Sequence, residues 1–154
     1  MDKIDELDRK ILRIITQNAR IPFREVAEQC GVSRAAVHQR VERMYDLGVI
    51  VGSSYNVNPK MLGYQLCAYI GITLDKGNMY NSVVEAIEQI PEVVESHYTL
   101  GSYGILIKVY ARDDMHLMEL LTKMQEIPGL AQTETLTALD QRIKRTIPIK
   151  IKGE

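Results

Sequence analysis

Residues Ser33 to Arg43 place a hydroxyl, three arginines, a histidine and a glutamine within eleven consecutive positions, few of them apolar. Side chains of these types suit readout of duplex DNA, since a guanidinium pairs bidentately with guanine, a carboxamide with adenine, and either binds phosphate; a solvated amphipathic helix with scattered charge is the alternative. Ser33 is a good helix N-cap, and Val37, Val41 and Met44 recur at helical spacing as one buried stripe. The face left for a partner carries Arg34, Ala35, His38 and Gln39 at the end that enters a major groove, with Arg40 and Arg43 further along. Ser33, Arg34, Ala35, His38, Gln39, Arg40 and Arg43 are therefore the candidate DNA contacts. Catalytic residues are expected to be none. No Ser/His/Asp, Cys/His or paired-carboxylate set has usable spacing, which argues against an enzyme. No metal or other cofactor is expected either: His38, His97 and His116 form no HxxxH or HExxH pattern, and Cys30 and Cys67 read as isolated core or partly buried thiols.

The elements that must hold this face are legible from Phe23 to Met44. Ala27 is small where two helices cross, Gly31 follows four residues later where a turn wants positive φ, and Val37 comes six after that as an apolar lock. An upstream helix is predicted over Asp5 to Asn18, with Ile4, Leu7, Ile11, Ile14 and Ile15 on one face and Arg20-Ile21-Pro22 as its end. Leu47-Gly48 reads as a helix stop. Val49-Ile50-Val51 and Tyr55-Asn56-Val57 alternate like a hairpin, the wing of a winged helix-turn-helix, and Asn58-Pro59 marks a hinge. The first domain is placed at 1–58 and the second at 59–154.

The second domain repeats itself. Residues 66–100 and 103–137 align at a constant offset of 37. Ala68, Ile70 and Ile72 share a strand face and match Ile105, Ile107 and Val109, while Val83, Val84, Ile87 and Ile90 match Leu120, Leu121, Met124 and Ile127 at helical spacing. Two β-α-β units in succession predict an α+β fold of ferredoxin-like βαββαβ type, with both helices on one side of a four-stranded antiparallel sheet. The other face, with Cys67, Tyr69, Gly71, Thr73, Leu106, Lys108 and Tyr110, is too apolar for full solvent exposure, so pairing with a second copy is expected. Between the repeats, Gly101-Ser102-Tyr103-Gly104 offers either a nest of backbone N–H groups for a carboxylate or simply a hairpin turn, and the turn alone is the more economical reading. Gln132-Thr133-Glu134-Thr135 is a polar run on the last strand that offers hydroxyls and a counter-charge for an ammonium group.

The chain carries a net charge of −1, with 45% hydrophobic and 25% charged residues, an ordinary globular composition. No apolar run approaches a membrane span, and the charged opening MDKIDELDRK is unlike a secretory signal, so a cytoplasmic protein with no membrane partner is expected. Residues 1–60 are +2 and residues 61–154 are −3. So weak a basic half binds DNA poorly through phosphates alone, which favours several DNA-binding units acting together.

Several segments resemble the Lrp/AsnC family, the feast/famine regulators. Leu7-Asp8-Arg9-Lys10-Ile11-Leu12, Asn18-Ala19-Arg20, Val32-Ser33 and Arg40-Val41 look like its helix-turn-helix signature, and Asn58 through Tyr64 look like its linker. Tyr98-Thr99-x-Gly101-x-Tyr103-x-Ile105 with Thr133-Glu134-Thr135-Leu136 is similar to the asparagine-responsive AsnC branch. The resemblance implies a sequence-specific transcription regulator whose C-terminal domain, of the RAM type, binds a small amino acid, asparagine first, and assembles homodimers into octamers. It places the ligand between dimers, near Thr99, Gly101, Ser102, Tyr103 and Gly104 and the strand Gln132, Thr133, Glu134 and Thr135. Two departures stand out: Gly104 where many members are acidic, and Arg34 where many have proline. An effector-independent architectural DNA-binding protein is the alternative, and the Gly104 departure suits it.

Overall fold

A computed structural model describes residues 4–154; Met1 to Lys3, the start of the charged opening segment, lie outside the described residues. The chain forms two compact units. One runs to Asn56 and takes in Ile143–Glu154, and the other is Val57–Arg142. The last twelve residues, which the repeat pattern leaves with the second domain, thus belong structurally to the first.

The first unit has three helices: α1 (Glu6–Ile15), α2 (Phe23–Cys30) and α3 (Arg34–Asp46). Helix α1 starts at a reciprocal cap in which the Asp5 carboxylate accepts from the Asp8 N–H and Asp8 from the Asp5 N–H, at 3.0 and 2.9 Å. It ends at Thr16 rather than Asn18: the Gln17 and Asn18 N–H groups both fall back on the Ile14 carbonyl, at 3.2 and 3.3 Å, and the Thr16 hydroxyl donates to the Leu12 carbonyl at 2.7 Å. Gly31 closes α2 at φ +67°, a conformation that excludes most side chains, and Ser33 accepts from the Ala36 N–H to start α3. Ile11, Val26, Ala27, Val37, Val41 and Met44 form the shared core.

The wing expected at Val49–Val57 is not a hairpin; these residues have no strand pairing. The Val49 and Ile50 N–H groups both donate to the Met44 carbonyl, at 2.9 and 3.1 Å, which closes α3 and turns both side chains into the core. Beyond them Val51 is 94% exposed, and the Tyr55 ring lies under the Arg20 guanidinium at 5.7 Å instead of pairing across a hairpin.

The second unit contains β1 (Leu66–Leu74), α4 (Tyr80–Glu88), β2 (Val93–Tyr98), β3 (Ile105–Ala111), α5 (Asp114–Gln125) and β4 (Leu130–Ala138). The sheet is fully antiparallel in the order β2-β3-β1-β4, as the repeat requires. Ala68 faces Val109, Ile70 faces Ile107 and Ile72 faces Ile105, and all six are fully buried beneath the helices. Cys67, Tyr69, Leu106, Lys108 and Tyr110 alternate onto the other face, because the side-chain period of a strand is two.

Asp8 has no solvent exposure, yet it carries a charge-bearing group. Arg40 and Arg43 of α3 reach it at 3.1 and 3.0 Å, and Arg40 also pairs with Asp5. That hydrogen bond from Arg40 is the main reason the Asp5 carboxyl is held below its usual range. The Asp5 contribution is therefore present above the ordinary carboxylate pKa and is lost as pH falls through the lowered one. Removing both guanidiniums (Arg40→Ala with Arg43→Ala) strands a buried carboxylate and should cost about 3–5 kcal/mol. Asp8→Ala lets both half-exposed arginines return to water and should cost only about 1–3 kcal/mol. Urea unfolding midpoints at constant m-value test this order, and a larger loss for Asp8→Ala would contradict it.

Candidate DNA-reading face and ligand turn

On α3 the exposed positions Arg34, Ala35, His38 and Gln39 fall at three- and four-residue spacing behind the Ser33 cap and form one strip, while Val37, Val41 and Met44 are buried. His38 is braced at the edge of this strip: its ring meets Phe23 of α2 edge-on at 6.0 Å, and Nδ1 lies 3.5 Å from Glu42. Arg34 and Gln39 have no hydrogen-bond or ion-pair partner among the described residues. Arg40 and Arg43 stand apart. Both guanidiniums turn toward Asp8 on α1, so the structure gives them an internal role where residue type alone suggested DNA. Their charge type is the same in either role, and only the position of Asp8 across the core separates the two.

In the second unit the connection between β2 and β3 is closed by the Thr99 N–H donating to the Gly104 carbonyl at 3.1 Å and the Thr99 hydroxyl to the Tyr103 carbonyl at 2.7 Å. Thr99 is thereby committed to the turn. The Gly104 N–H is committed as well, donating to the Ile72 carbonyl at 2.9 Å, so it is no donor for a ligand. The N–H groups of Leu100, Gly101, Ser102 and Tyr103 have no partner among the described residues. Gly101 has φ +137°, where a side chain is strained although space is open around it. A Cβ at Gly104 would meet Leu74 at 3.2 Å, so an acidic residue there would have to displace Leu74.

Tyr103 folds back over the sheet. Its ring lies so close to Gly71 of β1 that a Cβ at that position would sit 2.6 Å from the ring atoms, and its hydroxyl donates to Glu134 on β4. Gly71 and Glu134 are paired residues, which puts ring, glycine and carboxylate on one patch of the helix-free face. The acceptor carboxylate first, and burial second, hold the Tyr103 phenol above its ordinary pKa. Gly71 is a residue that the sequence pattern did not assign to the ligand site, though a glycine inside a strand is the signal for a close approach. Gln132 shares the face of Glu134, being paired with Thr73. Thr133 and Thr135, paired with Ile72 and Ile70, point to the helix side, so the polar run does not converge as one set.

The two halves of this arrangement have known counterparts. The AsnC-type helix-turn-helix domain matches residues 4–45, and the Lrp/AsnC ligand binding domain matches residues 67–148. The chain belongs to the Lrp/AsnC family. It is 41% identical to regulatory protein AsnC of Haemophilus influenzae over 96% of this chain and 99% of that one. It is 43% identical to the Escherichia coli AsnC structure, covering 94% of this chain and 97% of that chain with a TM-score of 0.88. A feast or famine regulatory protein from M. tuberculosis complexed with L-methionine matches at TM-score 0.89 and 25% identity, over 95% of this chain and 99% of that one. The Lrp/AsnC protein described here is a DNA-binding transcription regulator, with its helix-turn-helix in the first unit and a ligand-binding domain in the second. None of its described helices is long and apolar enough to cross a membrane.

Gly71→Ala should lift the Tyr103 ring and release its hydroxyl from Glu134. The expected result is a Tyr103 phenol that titrates at lower pH than in the parent, followed by NMR of labelled tyrosine, with Glu134→Gln giving the same direction. An unchanged titration in both variants would remove the Tyr103–Glu134 contact from the site.

Proposed function

We propose that this regulator reads a specific operator through Ser33, Arg34, Ala35, His38 and Gln39 and responds to a small amino acid, asparagine first, at the turn between β2 and β3. It acts without catalytic activity, in the cytoplasm, as a homodimer that assembles to an octamer. The observation that carries the effector half is the patch around Tyr103. Unpartnered N–H groups from Leu100 to Tyr103 provide donors for a carboxylate, and Glu134, which the Tyr103 hydroxyl reaches from this turn, provides oxygens for an ammonium, which is the charge pattern of a free amino acid. Identity of 41–43% to proteins named regulatory protein AsnC supports the branch whose resemblance put asparagine first, and the L-methionine complex of the mycobacterial relative supports the ligand class. Glu134 and not residue 104 is the partner for the ammonium, since Gly104 brings no acid.

Titration calorimetry tests this. Asparagine should bind, and Gly101→Val, which forces a β-branched residue to φ +137°, should weaken binding at least tenfold. No heat with any amino acid at millimolar concentration would leave the second reading, an architectural DNA-binding protein without effector. One observation favours that reading: Tyr103 already occupies the Glu134 carboxylate.

The pairing surface is the helix-free sheet face. Leu136 there is 55% exposed, and Lys108 is only 9% exposed, its ammonium lying 5.9 and 5.5 Å from the Tyr69 and Tyr110 rings and 3.7 Å from Glu95. Burial works against the Lys108 charge, but those two tyrosines and Glu95 outweigh it, and its amine is held above the ordinary range. Around Tyr69, Leu106, Tyr110 and Leu136 this face is apolar and its Lys108 charge already has a carboxylate partner, so that part can lose its water on pairing, while Gln132 and Glu134 lie toward the other end of β4. Leu106→Asp would bury an unpaired carboxylate there, so sedimentation should show a dimer for the parent and dissociation toward monomer for the variant. A parent chain that is monomeric at micromolar concentration would overturn the dimer.

A further inference from the structure

Residues 143–154 lie along α1 as an extended strap, and the way they are held leaves their cations unused. The anchors are the Ile149 side chain in the helix-turn-helix core, Arg13 donating to the Ile149 carbonyl at 3.0 Å and pairing with Glu154, and the Lys152 N–H donating to Glu6 at 3.2 Å. Arg9 also donates to the Lys150 carbonyl, at 3.4 Å. Every one of these contacts uses backbone, an apolar side chain or the single acid of the strap. Lys144, Arg145, Lys150 and Lys152 are exposed and make no ion pair among the described residues.

The sequence of the strap explains the division. In Ile149-Lys150-Ile151-Lys152 the isoleucines are half-buried and the lysines exposed, the two-residue alternation of an extended chain with one face inward. Lys144 and Arg145 border a groove of about 890 Å³ whose other wall is the end of α1 at Thr16 and Gln17. The charge consequence is large. Residues 1–56 contain nine Lys/Arg and eight Asp/Glu, an excess of one, and residues 143–154 add four cations and one anion, which raises the folded unit to +4. Residues 57–142 hold six cations and eleven anions and stand at −5.

We infer that the strap is a second DNA-contacting element, in which Lys144, Arg145, Lys150 and Lys152 bind the phosphodiester backbone without reading sequence. Nothing in the fold of the strap requires four cations, and the unit onto which they are folded is the one whose partner is a polyanion. With α3 alone, the first unit has one excess charge and little to offer phosphates; the strap supplies the counterion-releasing term that such binding needs. The inference rests on DNA binding by the helix-turn-helix, and the two separate by experiment, because base contacts set operator preference while phosphate contacts set salt dependence.

The test is duplex binding by the full chain across a salt series, with an operator duplex and a random duplex of equal length. Changing Lys144, Arg145, Lys150 and Lys152 together to Gln should flatten the log–log salt slope by about 0.9 for each phosphate no longer neutralised, and should weaken both duplexes by the same factor. The melting temperature should hold, since Ile149 and the Arg13–Glu154 pair are kept. Replacing the three lysines by arginine keeps the charge and should keep the parental slope. Arg34→Ala with Gln39→Ala should instead erase operator preference and change the slope by no more than about one. An unchanged slope in the four-fold Gln variant would overturn the strap as a DNA-binding element and leave it a structural brace; unchanged preference in the α3 variant would overturn the assignment of the reading face.

Discussion

The buried carboxylate of Asp8 organises the DNA-binding unit. It has no contact with water, so it is tolerated only because α3 brings two guanidiniums to it, and α3 in turn is oriented by having to do so. Through the reciprocal cap with Asp5 the same carboxylate also sets where α1 begins. With that rotation of α1 fixed, Glu6, Arg9 and Arg13 occupy a stripe away from Asp8, and it is this stripe that receives residues 143–154. One ion-pair cluster therefore decides which arginines of α3 turn inward to α1, which remain exposed, and which surface of α1 is left to hold the strap.

The sensing unit works by a different economy, in which the two faces of one sheet are assigned to different tasks. Its helix side is a closed apolar core with Ile70, Ile72, Ile105 and Ile107 at the centre. Its other side is a platform on which a missing side chain matters as much as any present one: Gly71 lets the Tyr103 ring lie on the sheet and reach Glu134. The turn that launches Tyr103 is closed by its own hydrogen bonds at Thr99 and Gly104, which leaves the amides between them open toward solvent.

Charge is divided between the units more sharply than the linear sequence indicates. Splitting the chain at residue 60 gives +2 and −3, a mild contrast, whereas the folded division gives +4 and −5. The whole chain stays near neutrality, which limits indiscriminate attraction to polyanions, while the unit that meets DNA concentrates the positive charge.

The amino-acid sequence by itself determined the three helices of the first unit, the βαββαβ order of the second and the face on which each core residue lies. These follow from periods of 3.6 and 2 and from caps such as Ser33 and Gly31, which are interactions between residues a few positions apart. It also brought Arg34, His38 and Gln39 onto one strip, and marked Tyr103 and Glu134 as site candidates. What tertiary structure alone decided are contacts between segments far apart in the chain. The partner of Arg40 and Arg43, the opposed faces of Glu134 and Thr133, the loss of the wing at Val49–Val57 and the return of residues 143–154 to α1 are all of that kind. An arginine has the same charge whether a phosphate or a buried aspartate awaits it, and an alternating Ile-Lys strap reads the same whichever surface takes its isoleucines. Local pattern specifies which face of a segment must be covered; the identity of what covers it is set by the packing of the whole unit.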